Sequence, residues 1–203
     1  MRESKLQVLA VIGTLSQVSL TQVVIEQIAE GLRAKGCSVD IFNPVTERLD
    51  LFNPDLSHSS ASYRGLQKRV EAADVFVLGT PDYHGSISST LKNFLDHFWP
   101  EFAGKLFASV VASPEKGLTV TDQLRTVARQ CYAWTLPYGV SFVDRKDVKV
   151  EIATQERLEM MIADICNYGK LLAERRARDL ESSEPGFMAR HRAKEPANVM
   201  GMR

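Results

Sequence analysis

Residues 75–98 read VFVLGTPDYHGSISSTLKNFLDHF, and the stretch changes character twice along its length. Val75-Phe76-Val77-Leu78 is a continuous apolar run bounded by Asp74 and Gly79, the pattern of a strand buried on both faces of a parallel sheet. The run stops at Gly79. Pro81 lacks a ladder donor and Gly85 permits backbone angles that a side chain forbids, so the chain is expected to leave the sheet here. Ile87, Leu91, Phe94, Leu95 and Phe98 then recur at helical spacing. Ser88, Ser89 or Thr90 is placed to cap that helix, and Pro100 follows its end. A loop between the carboxyl end of a parallel strand and a helix N-terminus is where open α/β sheets hold ligands. Pro81, Asp82, Tyr83, His84, Gly85 and Ser86 offer backbone donors and one aromatic ring, which suits a flat ligand with polar edges. The plainer alternative is a βα turn whose Tyr83 covers the sheet edge.

The rest of the chain repeats that alternation. Upstream, Leu6 to Ile12 reads as a strand and Gly13 to Ser19 as a hydroxyl-rich loop. A helix follows with Val24, Ile25, Ile28, Ala29 and Leu32 on one face and Gly36 as its stop. Val39–Phe42 is a second strand. Residues 43–61 form a long surface loop, and Tyr63, Leu66, Val70 and Ala73 mark a second helix. Downstream, Leu106–Ala112 is a fourth strand and Ser113 to Gly117 a loop at its carboxyl end. Thr119 and Asp122 suggest a capping box for the next helix, which carries Leu124, Val127, Ala128 and Cys131. Pro137–Asp144 reads as a fifth strand, and a long helix runs from Gln155 to about Leu180. One domain over residues 1–180 and a polar tail over 181–203 are expected, with no internal repeat. Strictly alternating elements argue for a parallel sheet with helices on both faces.

The segment TPDYHGSISSTLKNFLD, residues 80–96, closely resembles the T-P-E-Y-N-G-S-[IV]-P-x-x-L-K-N-A-[LI]-D signature of the NAD(P)H-dependent FMN reductase family. Asp82, His84 and Ser88 stand where that family has Glu, Asn and Pro. The resemblance implies an α/β, flavodoxin-like doubly wound sheet of five parallel strands in the order 2-1-3-4-5. The switch point of that order lies between the first and third strands, so loops 13–19 and 80–86 flank it. The first loop also resembles a variant of the family's G-S-x-R-x-x-S-x-N phosphate loop. Gly13 and Ser19 match, Thr14 replaces Ser, Ser16 stands in place of Arg and Thr21 in place of Asn.

The chemistry expected of each loop follows. The first precedes a helix N-terminus, where unpaired N–H groups and the helix dipole favour an anion. Gly13, Thr14, Ser16, Ser19 and Thr21 are its candidate phosphate donors. By the resemblance, Pro81, Asp82, Tyr83, His84, Gly85 and Ser86 meet the flavin ring, and Ser113 and Gly117 border its other end. No catalytic side chain is required, because the hydride chemistry belongs to FMN. NADPH or NADH is the implied donor, and a quinone, free flavin, azo dye or metal oxyanion the implied acceptor. A homodimer or homotetramer is likewise implied.

Composition narrows the alternatives. Twenty-five basic and 25 acidic residues leave a net charge of zero, so no general attraction to nucleic acid or anionic membrane is expected. No apolar run reaches membrane-spanning length, and the N-terminal run is too short for a signal peptide, so a cytoplasmic location is expected. Cys37, Cys131 and Cys166 read as free thiols. His58, His84, His97 and His191 show no metal-ligand spacing, and neither GxGxxG nor a Walker motif occurs. A flavodoxin-like electron carrier is the first rival. It would be strongly acidic and carry T-G-x-T-G-x-T, and this chain is neutral and lacks that loop. A non-catalytic flavin- or nucleotide-binding module is the second.

Overall fold

The computed structural model describes residues 5–143 and 152–183. The elements are β1 (Gln7–Ile12), α1 (Leu20–Ala34), β2 (Ser38–Phe42), α2 (Ala61–Ala72), β3 (Val75–Tyr83), β4 (Ser86–Ile87), α3 (Ser89–His97), β5 (Leu106–Ala112), α4 (Leu118–Gln130), β6 (Trp134–Thr135), β7 (Val140–Phe142) and α5 (Ile152–Glu181). The sheet runs β2-β1-β3-β5-β6, with β7 also on β5 and β4 paired antiparallel to β3. With the two-residue β4 set aside, this is the expected doubly wound order, its last position shared by two fragments. The Asp144–Asp147 stretch and the tail beyond residue 183 lie outside the described residues.

Alternate residues of the central strands feed two different cores, as the pleat requires. Val8, Ala10, Ile12, Val75, Val77, Ala108 and Val110 pack on α1 and α5 in an aliphatic layer. Leu9, Val11, Phe76, Leu78 and Phe107 face α2, α3 and α4, together with Phe94, Phe98 and Phe102. That second layer is an aromatic slab: Phe102 stands edge-on to Phe76 at 5.0 Å and to Phe107 at 5.1 Å between centroids.

Two elements depart from those expected, each for a physical reason. The fifth strand is not continuous from 137 to 144. Trp134 and Thr135 pair with Leu106 and Phe107, Leu136 N–H still reaches Phe107 O, and pairing resumes only at Val140 opposite Val110. Pro137, with no N–H to donate, falls in the gap. Nor does β3 stop at Gly79; it continues through Pro81 to Tyr83. Gly79 turns its carbonyl to β1, where Gly13 N–H donates to it, and Pro81 faces the same side one period later. β1 has ended at Ile12 by then, so the missing donor of Pro81 leaves no gap, while its other edge stays in register with Ala112 of β5.

The two tryptophans sit at the opposite end of the sheet from those loops. Trp99 Nε1 donates to Gln130 O at the last turn of α4, and Trp134 is paired with Leu106 at the first residue of β5.

Candidate functional site

The switch point between β1 and β3 is built on missing side chains. Gly13 N–H donates to Gly79 O at 2.7 Å. A Cβ on Gly13 would lie 2.4 Å from that oxygen and 2.8 Å from Leu91 Cβ. A Cβ on Gly79 would lie 2.7 Å from Ile25 Cγ1, so its absence lets the first turn of α1 sit low on the sheet.

Around that floor the loops are tied together by side chains. Ser88 is the N-cap of α3: its Oγ accepts from Leu91 N–H at 3.1 Å and donates to Gly13 O at 2.5 Å, and its N–H donates to the buried Thr80 Oγ1 at 3.0 Å. The serine that replaces the signature's proline thus joins the first loop to the central one. His84 (φ 58°) and Gly85 (φ 75°) form the two-residue turn between β3 and β4, both left-handed as that tight hairpin demands. Asp82 braces it, accepting from Gly85 N–H and from Ser113 Oγ, each at 2.8 Å. Ser113 is buried and also accepts from Glu115 N–H, so Asp82 links the hairpin to the third loop. With both oxygens held by donors, the Asp82 carboxylate is a brace and not a free base.

Gln123 on α4 had no place among the sequence candidates, yet one side chain holds three groups of the hairpin. Its Oε1 accepts from Ser86 Oγ and Ile87 N–H, and its Nε2 donates to Gly85 O. Gly117 (φ 57°) is the N-cap of α4, with Thr121 Oγ1 donating to its carbonyl in place of the expected Thr119–Asp122 box. Lys116 (φ 65°) is exposed beside it.

The phosphate-loop candidates separate by burial. Ser16 is exposed and its hydroxyl donates to Val18 O. Ser19 is the N-cap of α1 but makes no side-chain cap bond, and the first turn of α1 carries no acidic residue. Thr14 is buried, its Oγ1 accepting from Ser16 N–H. Thr21 is fully buried beside Ile25 over Gly79, with its hydroxyl unpaired, and presents nothing to the loop surface. The N–H groups of α1 are therefore left uncapped by side chains, with no Lys or Arg between Gly13 and Thr21 to assist them. Tyr83 (56 % exposed) and Leu118 (69 %) stand on the hairpin and on the first turn of α4. Uncapped donors beside a glycine floor, facing a braced hairpin with an exposed ring, fit a phosphate-bearing cofactor with a flat ring. Among the described residues no group of three or more His, Cys, Asp or Glu is placed to hold a metal ion.

The chain is similar to known proteins over most of its length. The sequence model of the family described as NADPH-dependent FMN reductase matches residues 6–147. An FMN-dependent NADPH-azoreductase of Staphylococcus haemolyticus is 32% identical over 154 residues, covering 72% of this chain and 81% of that one. Among solved structures, the flavoenzyme NAD(P)H:(acceptor) oxidoreductase FerB of Paracoccus denitrificans superposes with a TM-score of 0.67 at 18% identity, over 81% of this chain and 97% of that one. An NADH:FMN oxidoreductase superposes with a TM-score of 0.66 at 20% identity, over 82% and 89%.

Proposed function

The chain belongs to the NADPH-dependent FMN reductase family, and from that membership we propose that it passes electrons from NAD(P)H through FMN to a flat, aromatic small-molecule acceptor. It is an oxidoreductase with FMN as cofactor and a reduced nicotinamide as donor. The observation that carries the proposal for the site is the linkage of three loops at the switch point through Ser88–Gly13 and Asp82–Ser113. FMN, when bound, supplies the two-electron chemistry. The protein's own part is to bind and orient. Ser16, Ser19 and the first N–H groups of α1 hold the phosphate. The hairpin from Asp82 to Ser86 presents its backbone to the polar edge of the ring, and Ser113 and Gly117 border the far side. Tyr83 and Leu118 give the crevice an apolar rim, which suits quinones, free flavins or azo dyes better than metal oxyanions. The azoreductase relative supports the same choice.

FMN added to the purified protein should lose its fluorescence and take up the blue and near-ultraviolet bands of a bound flavin, which NADPH then bleaches under argon. A protein that fails to quench FMN removes the proposal. The crevice carries no second nucleotide fingerprint, so donor and acceptor take turns at one face. Double-reciprocal plots with an azo dye or quinone should therefore give parallel lines, and intersecting lines would count against a shared face. A homodimer or homotetramer and a cytoplasmic location belong to the same proposal, the first to be checked by light scattering. No helix among the described residues is long and apolar enough to cross a membrane.

Gln123 supplies a further expectation. Removing it leaves Gly85 O, Ser86 Oγ and Ile87 N–H without their partner. Gln123→Ala should weaken FMN binding by about 1–2 kcal/mol, roughly ten-fold in Kd, as the hairpin loosens. Quenching titrations read this directly. Unchanged affinity means the hairpin is held without α4.

A further inference from the structure

Far from the crevice in sequence and fold, two thiols meet. Cys37 lies between α1 and β2, Cys166 lies on α5, and their sulfurs are 3.7 Å apart although 129 positions separate them in the chain. Both are half-buried at the edge of the aliphatic layer, so the pair is neither sealed in the core nor loose on the surface. The elements that carry them are pinned on either side. Gln27 Nε2 donates to Gln155 Oε1 at 2.7 Å near the start of α5, and Arg176 pairs with Asp74 near its end. Between these, Gly31 of α1 lets Ile162 approach so closely that a Cβ there would lie 2.5 Å from Ile162 Cδ1. Cys37 itself is fixed by its N–H, which donates to Leu32 O. The thiols cannot drift apart without lifting α5 from α1.

We propose that Cys37 and Cys166 form a two-electron oxidation site, at which a hydroperoxide converts the dithiol to an intramolecular disulfide that bolts α5 to the α1–β2 corner. The sulfur of one of the two cysteines, as its thiolate, attacks the terminal peroxide oxygen. The S–O bond forms, the O–O bond breaks, and the alcohol or water leaves with the proton. The sulfur of the other then attacks the sulfenic sulfur, the S–S bond forms, the S–O bond breaks and water departs with the second thiol proton. Two thiols are oxidised by two electrons in all, and one peroxide is reduced to alcohol and water. The sulfurs close from 3.7 Å to about 2.05 Å. Burial, and then the neighbouring thiol, push Cys37 up to about 12. Cys131 is buried and likewise pushed up to about 12 by burial, but has no thiol beside it, which makes it an internal control. Cys37 lies within the residues 6–147 that the family model matches, and Cys166 lies beyond them on α5.

The test uses the full-length FMN-loaded protein, reduced, freed of reductant and treated with excess hydrogen peroxide. The expected product is a monomer lighter by about two hydrogens, in which peptides containing Cys37 and Cys166 are linked until dithiothreitol is added. Closing so long a loop should raise Tm by about 5–10 °C. Cys131→Ser should behave identically, and Cys37→Ser and Cys166→Ser should each lose both the link and the gain in Tm. A mass increase by oxygen without a link, a link through Cys131, no reaction, or a link that leaves Tm unchanged or lower would each overturn the proposal. None of these readouts depends on where FMN binds.

Discussion

Gly13→Ala protein is expected to melt about 6–12 °C below the native chain and to lose FMN binding. The new Cβ would lie 2.4 Å from Gly79 O and 2.8 Å from Leu91 Cβ, and neither neighbour can yield. Gly79 is in register with Ile12 on one side and Val110 on the other, and Leu91 is fully buried in the first turns of α3. The loop must therefore lift. Lifting breaks the Gly13–Gly79 hydrogen bond and withdraws the acceptor of Ser88 Oγ inside the protein. Overpacking and a stranded buried donor together cost about 3 kcal/mol, a sizeable share of a domain's total stability. The same loop leads into α1, so its displacement also moves the proposed phosphate donors. Gly65→Ala is the control. Gly65 is exposed in the middle of α2, and a Cβ there meets nothing within 4 Å, so alanine should be neutral or stabilise by about 0.5–1 kcal/mol. Differential scanning of both variants decides the matter, and a Gly13→Ala protein with native Tm and native FMN affinity would disprove the close approach.

Ser19→Asp should separate two quantities that usually move together. Ser19 has the extended conformation of an N-cap, φ −137° and ψ 125°, yet its side chain makes no cap hydrogen bond. An aspartate there can accept from the N–H groups of α1 and oppose the helix dipole, which stabilises the flavin-free protein by about 0.5–1 kcal/mol. Those are the groups proposed to hold the phosphate. A second anion about 5 Å from it costs about 3 kcal/mol at an effective dielectric of about 20, roughly a hundred-fold in Kd. Tm of the apoprotein should rise while FMN affinity falls steeply, and added salt should recover part of the loss. Ser19→Ala should change affinity by only about 0.5–1.5 kcal/mol. If Ser19→Asp binds FMN as tightly as the native chain, the phosphate does not lie at α1.

How much of this could be read from the sequence depended on whether the cause was local. Val75 to Leu78 announced a strand buried on both faces, and the two-layer burial of β1, β3 and β5 follows from such runs. The extension of β3 past Pro81 did not show, because it depends on β1 ending first, a fact about a neighbour and not about the proline. Ser88 was legible as a cap, but its second bond, to Gly13 O, spans 75 positions. Gln123 reads as one more polar residue on an amphipathic helix, and only the hairpin folded against α4 gives it a role. Thr21 is the opposite case. Counting hydroxyls placed it in the phosphate loop, although it shares the stripe of Val24, Ile25 and Ile28 at helical spacing and is buried with them. There the periodicity, and not the motif, foretold the burial.

The placement of the tryptophans bears on how the molecule reports on itself. Both indoles lie by the start of β5 and the last turn of α4, while the proposed flavin crevice lies at the other end of those elements, about 20 Å along the strand. Their emission is thus an optical gauge of the sheet's floor, and a flavin in the crevice reaches it only by resonance energy transfer. Melting followed at the indoles and cofactor release followed at the flavin are two separate channels, so a chain that sheds FMN before it unfolds will show the two events apart in a single cuvette.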